Sequence, residues 1–121
     1  MIPAELADFI QGSIKSVWSV ELLLFLRRRR EQSWTPDQLI AELRSSRSVV
    51  VDVLATFVQA GLATEEAGAF RFAPASDELD RLAQALEAAY AERPASVVRA
   101  ILSAPSEKLK FFADAFRIKK D

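Results

Sequence analysis

The most concentrated chemistry in the sequence is a run of four arginines at positions 27–30. Guanidinium groups donate hydrogen bonds to phosphate oxygens, and each phosphate that a protein neutralises steepens the salt dependence of its binding to nucleic acid. Four consecutive residues of a helix point in four directions. The run therefore predicts either a contact with a phosphate backbone or a solvated helix end, where the helix dipole favours cations.

Carboxylates cluster at Glu65 and Glu66 and again at Asp77, Glu78 and Asp80. Neither cluster belongs to a binding motif, so both are interpreted as solvated or helix-capping acids. The sequence contains no cysteine and no histidine, which excludes disulfide bonds, the usual zinc sites and Cys/His or Ser/His catalytic pairs. It also lacks a glycine-rich phosphate loop. We therefore expect a protein that is not an enzyme and that uses no metal or cofactor.

Length and composition predict a single folded domain over residues 1–121. Half of the residues are hydrophobic, 27% are charged and glycine is scarce, which favours helix nearly throughout. The apolar run at 17–26 is about half as long as a membrane span requires, and no basic region precedes it as in a signal peptide. We expect a cytoplasmic protein outside the membrane.

The distribution of charge says more than its total of −1. Residues 1–34 carry five basic and four acidic side chains, residues 35–76 carry three and five, and residues 77–121 carry eight of each. DNA-binding proteins generally present a basic surface. Here the arginine run at 27–30 is the one local concentration of positive charge in the sequence.

The spacing of apolar residues predicts seven helices and one β-hairpin. The helices are expected over 4–11, 17–31, 36–44, 48–60, 77–92, 95–103 and 106–118, and the hairpin strands over 62–66 and 70–73. Capping signals mark the helix ends: Ser16 begins the second helix, Thr35 and Gln38 form a capping box, residues 45–48 supply a turn and N-cap, and Gly61 ends the fourth helix.

Two helices carry more apolar surface than one small domain normally buries. The helix over 17–31 is apolar nearly all round, and the helix over 106–118 has two apolar faces. A domain of this size rarely encloses one helix completely. We therefore predict a homodimer through the 17–31 helix and the C-terminal helices of residues 77–121.

Residues 16–76 resemble the winged helix-turn-helix of bacterial transcription regulators, broadly the MarR- and PadR-like proteins. The resemblance rests on helix, turn, helix and hairpin in that order, and on a local signature of seven residues: Leu54, Phe57, Val58, Gln59, Ala60, Gly61 and Leu62. It implies a mainly α fold with a short β-hairpin wing and a C-terminal helical extension. It also implies a DNA-binding regulator that places its second helix in the major groove of double-stranded DNA.

The resemblance also implies which side chains contact DNA. The reading positions of such regulators fall here on Ser46, Arg47, Ser48, Val49, Val51, Asp52 and Thr56. Arginine and hydroxyl side chains suit contacts to bases or phosphates, so Arg47, Ser48 and Thr56 are the expected groove contacts. The residues expected on the phosphate backbone are Arg71, Arg28 and Arg29.

The same positions support a second hypothesis. Val49 and Val51 can touch thymine methyl groups but donate no hydrogen bond, and Asp52 stands where an arginine is common in such regulators. Glu65 and Glu66 precede the tip of the hairpin. The alternative is a winged-helix module for protein–protein interaction that has lost specific DNA reading, with Val49, Val51 and Asp52 forming the contact. A ligand pocket between the C-terminal helices and the hairpin is compatible with either hypothesis.

Overall fold

The computed structural model describes residues 2–103 of the 121-residue chain, which form six helices and one antiparallel hairpin. The mainly helical fold with a β-hairpin is thereby confirmed. The helix predicted over 106–118, with its share of the dimer contact, lies outside the described residues. In chain order the elements are α1 (Ala4–Ser13), α2 (Val17–Arg28), α3 (Pro36–Leu43), α4 (Arg47–Gln59), β1 (Ala63–Glu66), β2 (Ala69–Phe72), α5 (Asp77–Glu92) and α6 (Pro94–Ser103).

Hydroxyl side chains determine where four of these helices begin. Thr35 Oγ1 accepts a hydrogen bond from the backbone N–H of Gln38 at 3.2 Å, and Gln38 Oε1 accepts from the Thr35 N–H at 2.9 Å, which is the predicted capping box. The side chains of Ser16, Ser46 and Ser76 each accept from the backbone N–H three residues later. Each such cap contributes about 1 kcal/mol of helix stability.

Tertiary packing moves two predicted boundaries. Helix α1 was expected to stop before Gly12 but continues through Ser13. Ser13 and Ile14 are buried, and this packing offsets the cost of about 1 kcal/mol for a glycine inside a helix. Helix α2 was expected to reach residue 31 but ends at Arg28, because the backbone of Arg29 leaves the helical conformation.

The region from α3 to the hairpin also starts and stops slightly differently from expectation. Helix α3 ends at Leu43, because Arg44 adopts the left-handed conformation with φ of 54°. Since Ser46 supplies the N-cap, α4 begins at Arg47 instead of residue 48. The hairpin loop contains two residues, Ala67 and Gly68, and the third expected loop residue already belongs to β2.

Helix α2 lies at the centre of the core. Its apolar residues are buried over most of its circumference against α3, α4, α5 and β2. They are Val20, Leu22, Leu23, Leu24, Phe25 and Leu26. Within the described residues, α3, α4, α5 and β2 thus cover residues 20–26 of α2 on several sides, and the helix is not enclosed completely. Two apolar side chains of α2 stay exposed, Val17 at 39% and Trp18 at 43%.

Among the residues that the structure describes, no single helix is both long enough and apolar enough to cross a bilayer. Helices α1 and α2 reach that length and composition only when taken together, across a bend of 101°.

The hairpin turns through a tight loop and has two chemically different faces. Ala67 (φ 53°) and Gly68 (φ 80°) both adopt positive φ, as a type I′ turn requires. Strand pairing places Glu65 opposite Phe70, so both lie on one face. Arg71 lies on the opposite face, because side chains alternate along a strand.

A third short segment joins this sheet. Trp34, which precedes α3, forms an isolated antiparallel bridge with Phe70 through hydrogen bonds of 2.8 and 2.7 Å. The indole ring meets the Phe25 ring edge-on, with centroids 4.9 Å apart. Strand β2 therefore lies between β1 and the backbone of Trp34, and this ties the start of α3 to the hairpin.

A partly buried polar contact joins α2 to α5. Tyr90 Oη donates a hydrogen bond of 2.9 Å to Glu21 Oε1. This hydrogen bond, together with burial and the negative charge of Glu21, raises the pKa of Tyr90 above its ordinary value of 10.0.

Candidate functional site

Helix α4 buries one face and presents the other to solvent. Its buried residues are Val50, Val53, Leu54 and Phe57. Its exposed residues from the first turn to the last are Arg47, Ser48, Val51, Asp52, Ala55, Val58 and Gln59. Val51 is 43% exposed and Val58 is 39% exposed, so the middle of the outer face is apolar.

An open groove of about 690 Å³ lies between this outer face, the start of α3 and the hairpin. Its apolar lining is formed by Pro36, Val51, Leu54, Ala55, Val58 and Phe70. Gln59 and Glu65 contribute polar side chains to the lining. We call this feature the α4–hairpin groove. Its volume falls in the range of sites that bind small molecules or apolar side chains of a partner.

Arg47 is positioned at the N-terminal end of the groove-facing helix. Its guanidinium forms an ion pair with Asp37 of α3, and both side chains are well exposed, at 64% and 78%. An exposed pair of this kind contributes about 0–1 kcal/mol, so a phosphate can replace Asp37 at small cost. Ser48, one residue further, is exposed, and its hydroxyl lies 3.3 Å from that of Ser46.

Two of the predicted reading residues do not lie on the exposed face. Val49 is half-buried and packs against the core. Thr56 is half-buried, and its hydroxyl donates a hydrogen bond of 3.1 Å to the backbone carbonyl of Asp52. Of the predicted positions, Ser46, Ser48, Val51 and Asp52 are exposed together with Arg47.

The arginine run has partners inside the chain. Arg27 and Arg28 both form ion pairs with Glu87 of α5, the second at 2.7 Å. Arg29 stacks over the Phe25 ring, with its guanidinium carbon 4.2 Å from the centroid. Arg30 approaches Asp80 at 3.5 Å. The run therefore links the end of α2 to α5, and the sequence did not reveal this because the acidic partners lie 50 to 60 residues away.

Two further exposed cations, Arg44 and Arg71, have no ion-pair partner among residues 2–103. Arg71 projects from the exposed face of β2, opposite Thr64. Arg44, which sequence reasoning missed, is exposed in the turn between α3 and α4. The signal available in the sequence was its basic side chain directly before the predicted turn at residues 45–48. Arg44 and Arg47 thus lie at the start of α4, whereas Arg71 lies on the face of the hairpin opposite to Glu65 and Phe70.

A second, smaller cavity of about 320 Å³ lies between α1 and α5. Its apolar lining comprises Ile2, Pro3, Leu6, Ala85, Ala88 and Ala89. Neither this cavity nor the α4–hairpin groove lies between the C-terminal helices and the hairpin, where a ligand pocket had been considered. Within residues 2–103 no three acidic side chains converge in a way that could hold a metal ion.

No protein-family model, curated protein or solved structure matches the chain.

Proposed function

We propose that the chain is a DNA-binding transcription regulator of the winged helix-turn-helix type, acting in the cytoplasm as a homodimer. The Trp34–Phe70 bridge carries this proposal. Along the chain, helix α2 is followed by the Trp34 segment, α3, α4 and the hairpin. The bridge joins the Trp34 segment to the hairpin in one small sheet. This arrangement supports a winged helix, in which the second helix of the pair enters the major groove beside the wing.

The exposed cations at the start of α4 and on the hairpin determine how strongly this part of the protein would bind DNA. Arg44, Arg47 and Arg71 would neutralise about three phosphates per protomer, which gives a slope of log affinity against log salt near −2.7. Between 50 and 200 mM salt the affinity of one protomer should then fall about 40-fold. Ser48 and Val51 would face base edges, where a hydroxyl donates or accepts and a valine contacts a thymine methyl group.

Fluorescence anisotropy with labelled DNA from the upstream region of the gene tests the proposal. Arg47→Ala should weaken binding by about 1–3 kcal/mol if Arg47 reads a base, and Arg71→Ala should lower the salt slope by about 1. Arg81→Ala is the matched control, because it removes the same charge from α5, where Arg81 pairs with Glu5. Wild-type protein that binds this DNA no better than a scrambled duplex at about 50 mM salt would refute the proposal.

The exposed start of α2 supports the homodimer. Val17 and Trp18 form an apolar surface on a helix whose other apolar residues are buried. A two-fold axis beside them would place two copies of α4 on the same side of DNA, as half-sites about 34 Å apart require. Val17→Glu should dissociate the dimer in sedimentation experiments. Val58→Glu is the control, because Val58 has the same exposure of 39% on α4. Equal masses for the two variants would contradict this interface.

The apolar lining of the α4–hairpin groove favours a second candidate function, a protein-interaction module. Val51 and Val58 are exposed there beside Glu65. This chemistry fits a partner segment with an apolar helix face and one basic side chain. Val49 is half-buried, so the contact proposed for it shifts to Val58. Val51→Asp should then abolish capture of the partner while DNA affinity hardly changes, and capture that survives this substitution would exclude the groove.

A further inference from the structure

Within residues 2–103, the lining of the α4–hairpin groove contains one charged side chain. Glu65 of β1 lies in the groove wall, and the other lining side chains are apolar except for the amide of Gln59. Within the same residues Glu65 forms no ion pair. We propose that the groove binds a small organic cation, with the apolar body of the ligand along α4 and its cationic head beside Glu65 and Phe70.

The pairing of the hairpin strands brings the Glu65 carboxylate close to the Phe70 ring. Phe70 is opposite Glu65, but its N–H donates to the Trp34 carbonyl at 2.7 Å and its carbonyl accepts from the Trp34 N–H at 2.8 Å. The pair with Glu65 is therefore of the type without hydrogen bonds, in which opposite side chains lie closer together. Their Cβ atoms should be about 4.5–5.5 Å apart. A carboxylate and an aromatic face both attract a cation.

The opposite wall suits the apolar body of such a ligand. Val51, Ala55 and Val58 follow one another at helical spacing on the exposed face of α4, and all three line the groove. The groove volume of about 690 Å³ falls in the range that holds drug-sized molecules. A purely apolar ligand would take water away from Glu65 without replacing it, which costs free energy. A ligand with a cationic head avoids this cost.

The charges around the groove disfavour an anion. Arg71 lies on the opposite face of the hairpin, and Arg47 is paired with Asp37. Neither arginine lines the groove. Asp52, one residue after Val51, adds a second negative charge to the exposed face of α4. An anionic head would therefore meet a carboxylate with no cation in the lining to offset it.

A bound cation would also regulate DNA binding, a consequence that rests on the proposed function. The ligand would cover Val51, which belongs to the surface assigned to DNA. DNA and the ligand would then compete for the outer face of α4. At a ligand concentration of about ten times its Kd, the apparent affinity for DNA should fall about tenfold.

An NMR titration of the isotope-labelled full-length protein tests the site without DNA. The probes are phenylbutylamine, phenylbutanol and phenylbutyrate, which share one apolar body and differ in the charge of the head. Phenylbutylamine should shift the amide signals of Val51, Val58 and Phe70 and bind about tenfold more tightly than phenylbutanol, with phenylbutyrate weakest. Equal affinities for the amine and the alcohol, or shifts that map outside the groove, would overturn the proposal.

Two pairs of substitutions separate the effect of charge from the effect of shape. Glu65→Gln should remove the preference for the amine, whereas Glu66→Gln should keep it, because Glu66 is exposed on the other face of the hairpin. Ala55→Leu fills the groove and should weaken binding of the amine about tenfold. Ala91→Leu, at an exposed position of α5, should not change it. Equal effects within either pair would contradict a ligand held in this groove.

The anisotropy assay separates this inference from the proposed function. Phenylbutylamine should release labelled DNA from the wild-type protein at a lower concentration than from Glu65→Gln. Equal concentrations for the two proteins would refute the competition. Binding of the amine in the groove without DNA binding by any variant would establish the ligand site and exclude the DNA-binding function. DNA binding without amine binding would leave the regulator in place and exclude the ligand site.

Discussion

Replacing the three glycines one at a time by alanine should change the free energy of unfolding in three different ways. Gly12 lies inside α1, and a Cβ there would meet nothing within 4 Å. Gly68, in the hairpin loop, also has open space but has φ of +80°. Gly61, after α4, has φ of +78°, and a Cβ there would lie 3.2 Å from the Cβ of Ala75. The three sites thus isolate helix propensity, backbone strain, and strain combined with crowding.

The expected magnitudes follow from these geometries. Gly12→Ala should stabilise the protein by about 0.5–1 kcal/mol, because alanine loses less backbone entropy in a helix. Gly68→Ala should cost about 1–2 kcal/mol, because an L-residue in the left-handed region brings its Cβ close to a carbonyl oxygen. Gly61→Ala should cost at least about 1 kcal/mol more, since crowding in a packed region adds to the strain. Ala75 cannot yield easily, because its N–H donates a hydrogen bond of 2.8 Å to the Gly61 carbonyl.

Urea unfolding followed by far-ultraviolet circular dichroism measures these differences, provided that the slope m is the same for all four proteins. From most to least stable, the expected order is Gly12→Ala, wild type, Gly68→Ala and Gly61→Ala. A destabilised Gly12→Ala would mean that α1 does not continue through Gly12. Equal losses of stability for Gly61→Ala and Gly68→Ala would mean that the close contact between the new Cβ at position 61 and Ala75 does not destabilise the fold.

Other predictions concern the contacts between α2 and α5. Since Tyr90 is the one tyrosine of the chain, its ionisation can be followed by absorbance, and the midpoint should lie above that of the unfolded chain. Glu21→Ala should bring it back towards 10, because the main cause is the hydrogen bond. The stability from this raised pKa is fully present below about pH 10 and is lost as pH rises through the folded pKa of Tyr90. A titration midpoint of Tyr90 that Glu21→Ala leaves unchanged would contradict the role of the hydrogen bond. Glu87→Gln should lower the free energy of unfolding by about 1–3 kcal/mol, because it leaves the half-buried Arg27 without its carboxylate. Asp80→Asn removes an exposed ion pair with Arg30 and should lower it by under about 1 kcal/mol. Equal losses of stability in urea unfolding would refute this difference.

Local features of the sequence predicted most of the secondary structure. The capping box at Thr35 and Gln38 and the glycine at position 61 each depend on interactions within about five residues, so the sequence reveals them. Apolar residues also recur at helical spacing in α4, at Val50, Leu54 and Phe57, and all three are buried. The boundaries that were wrong belong to segments such as Gly12–Ser13, where distant packing overrides local preference.

The candidate site depends on contacts between residues that are far apart in the sequence. The α4–hairpin groove exists because Trp34 pairs with Phe70, 36 positions further along the chain, and holds the hairpin beside α3 and α4. The partners of the arginine run come from α5, so its chemistry could not be read from its own neighbourhood.

By itself, the sequence determined the types of the elements, most of their ends and the face of α4 that is buried, because these follow from backbone propensities, caps and periodicity within single segments. Only the tertiary structure decided that residues 20–26 of α2 are covered within one chain, that Arg27–Arg30 are engaged by α5 and aromatic rings, and that the exposed face of α4 borders an apolar groove. The physical reason is that burial and charge pairing depend on which surfaces meet across long stretches of chain, whereas helix and strand formation depend mainly on near neighbours.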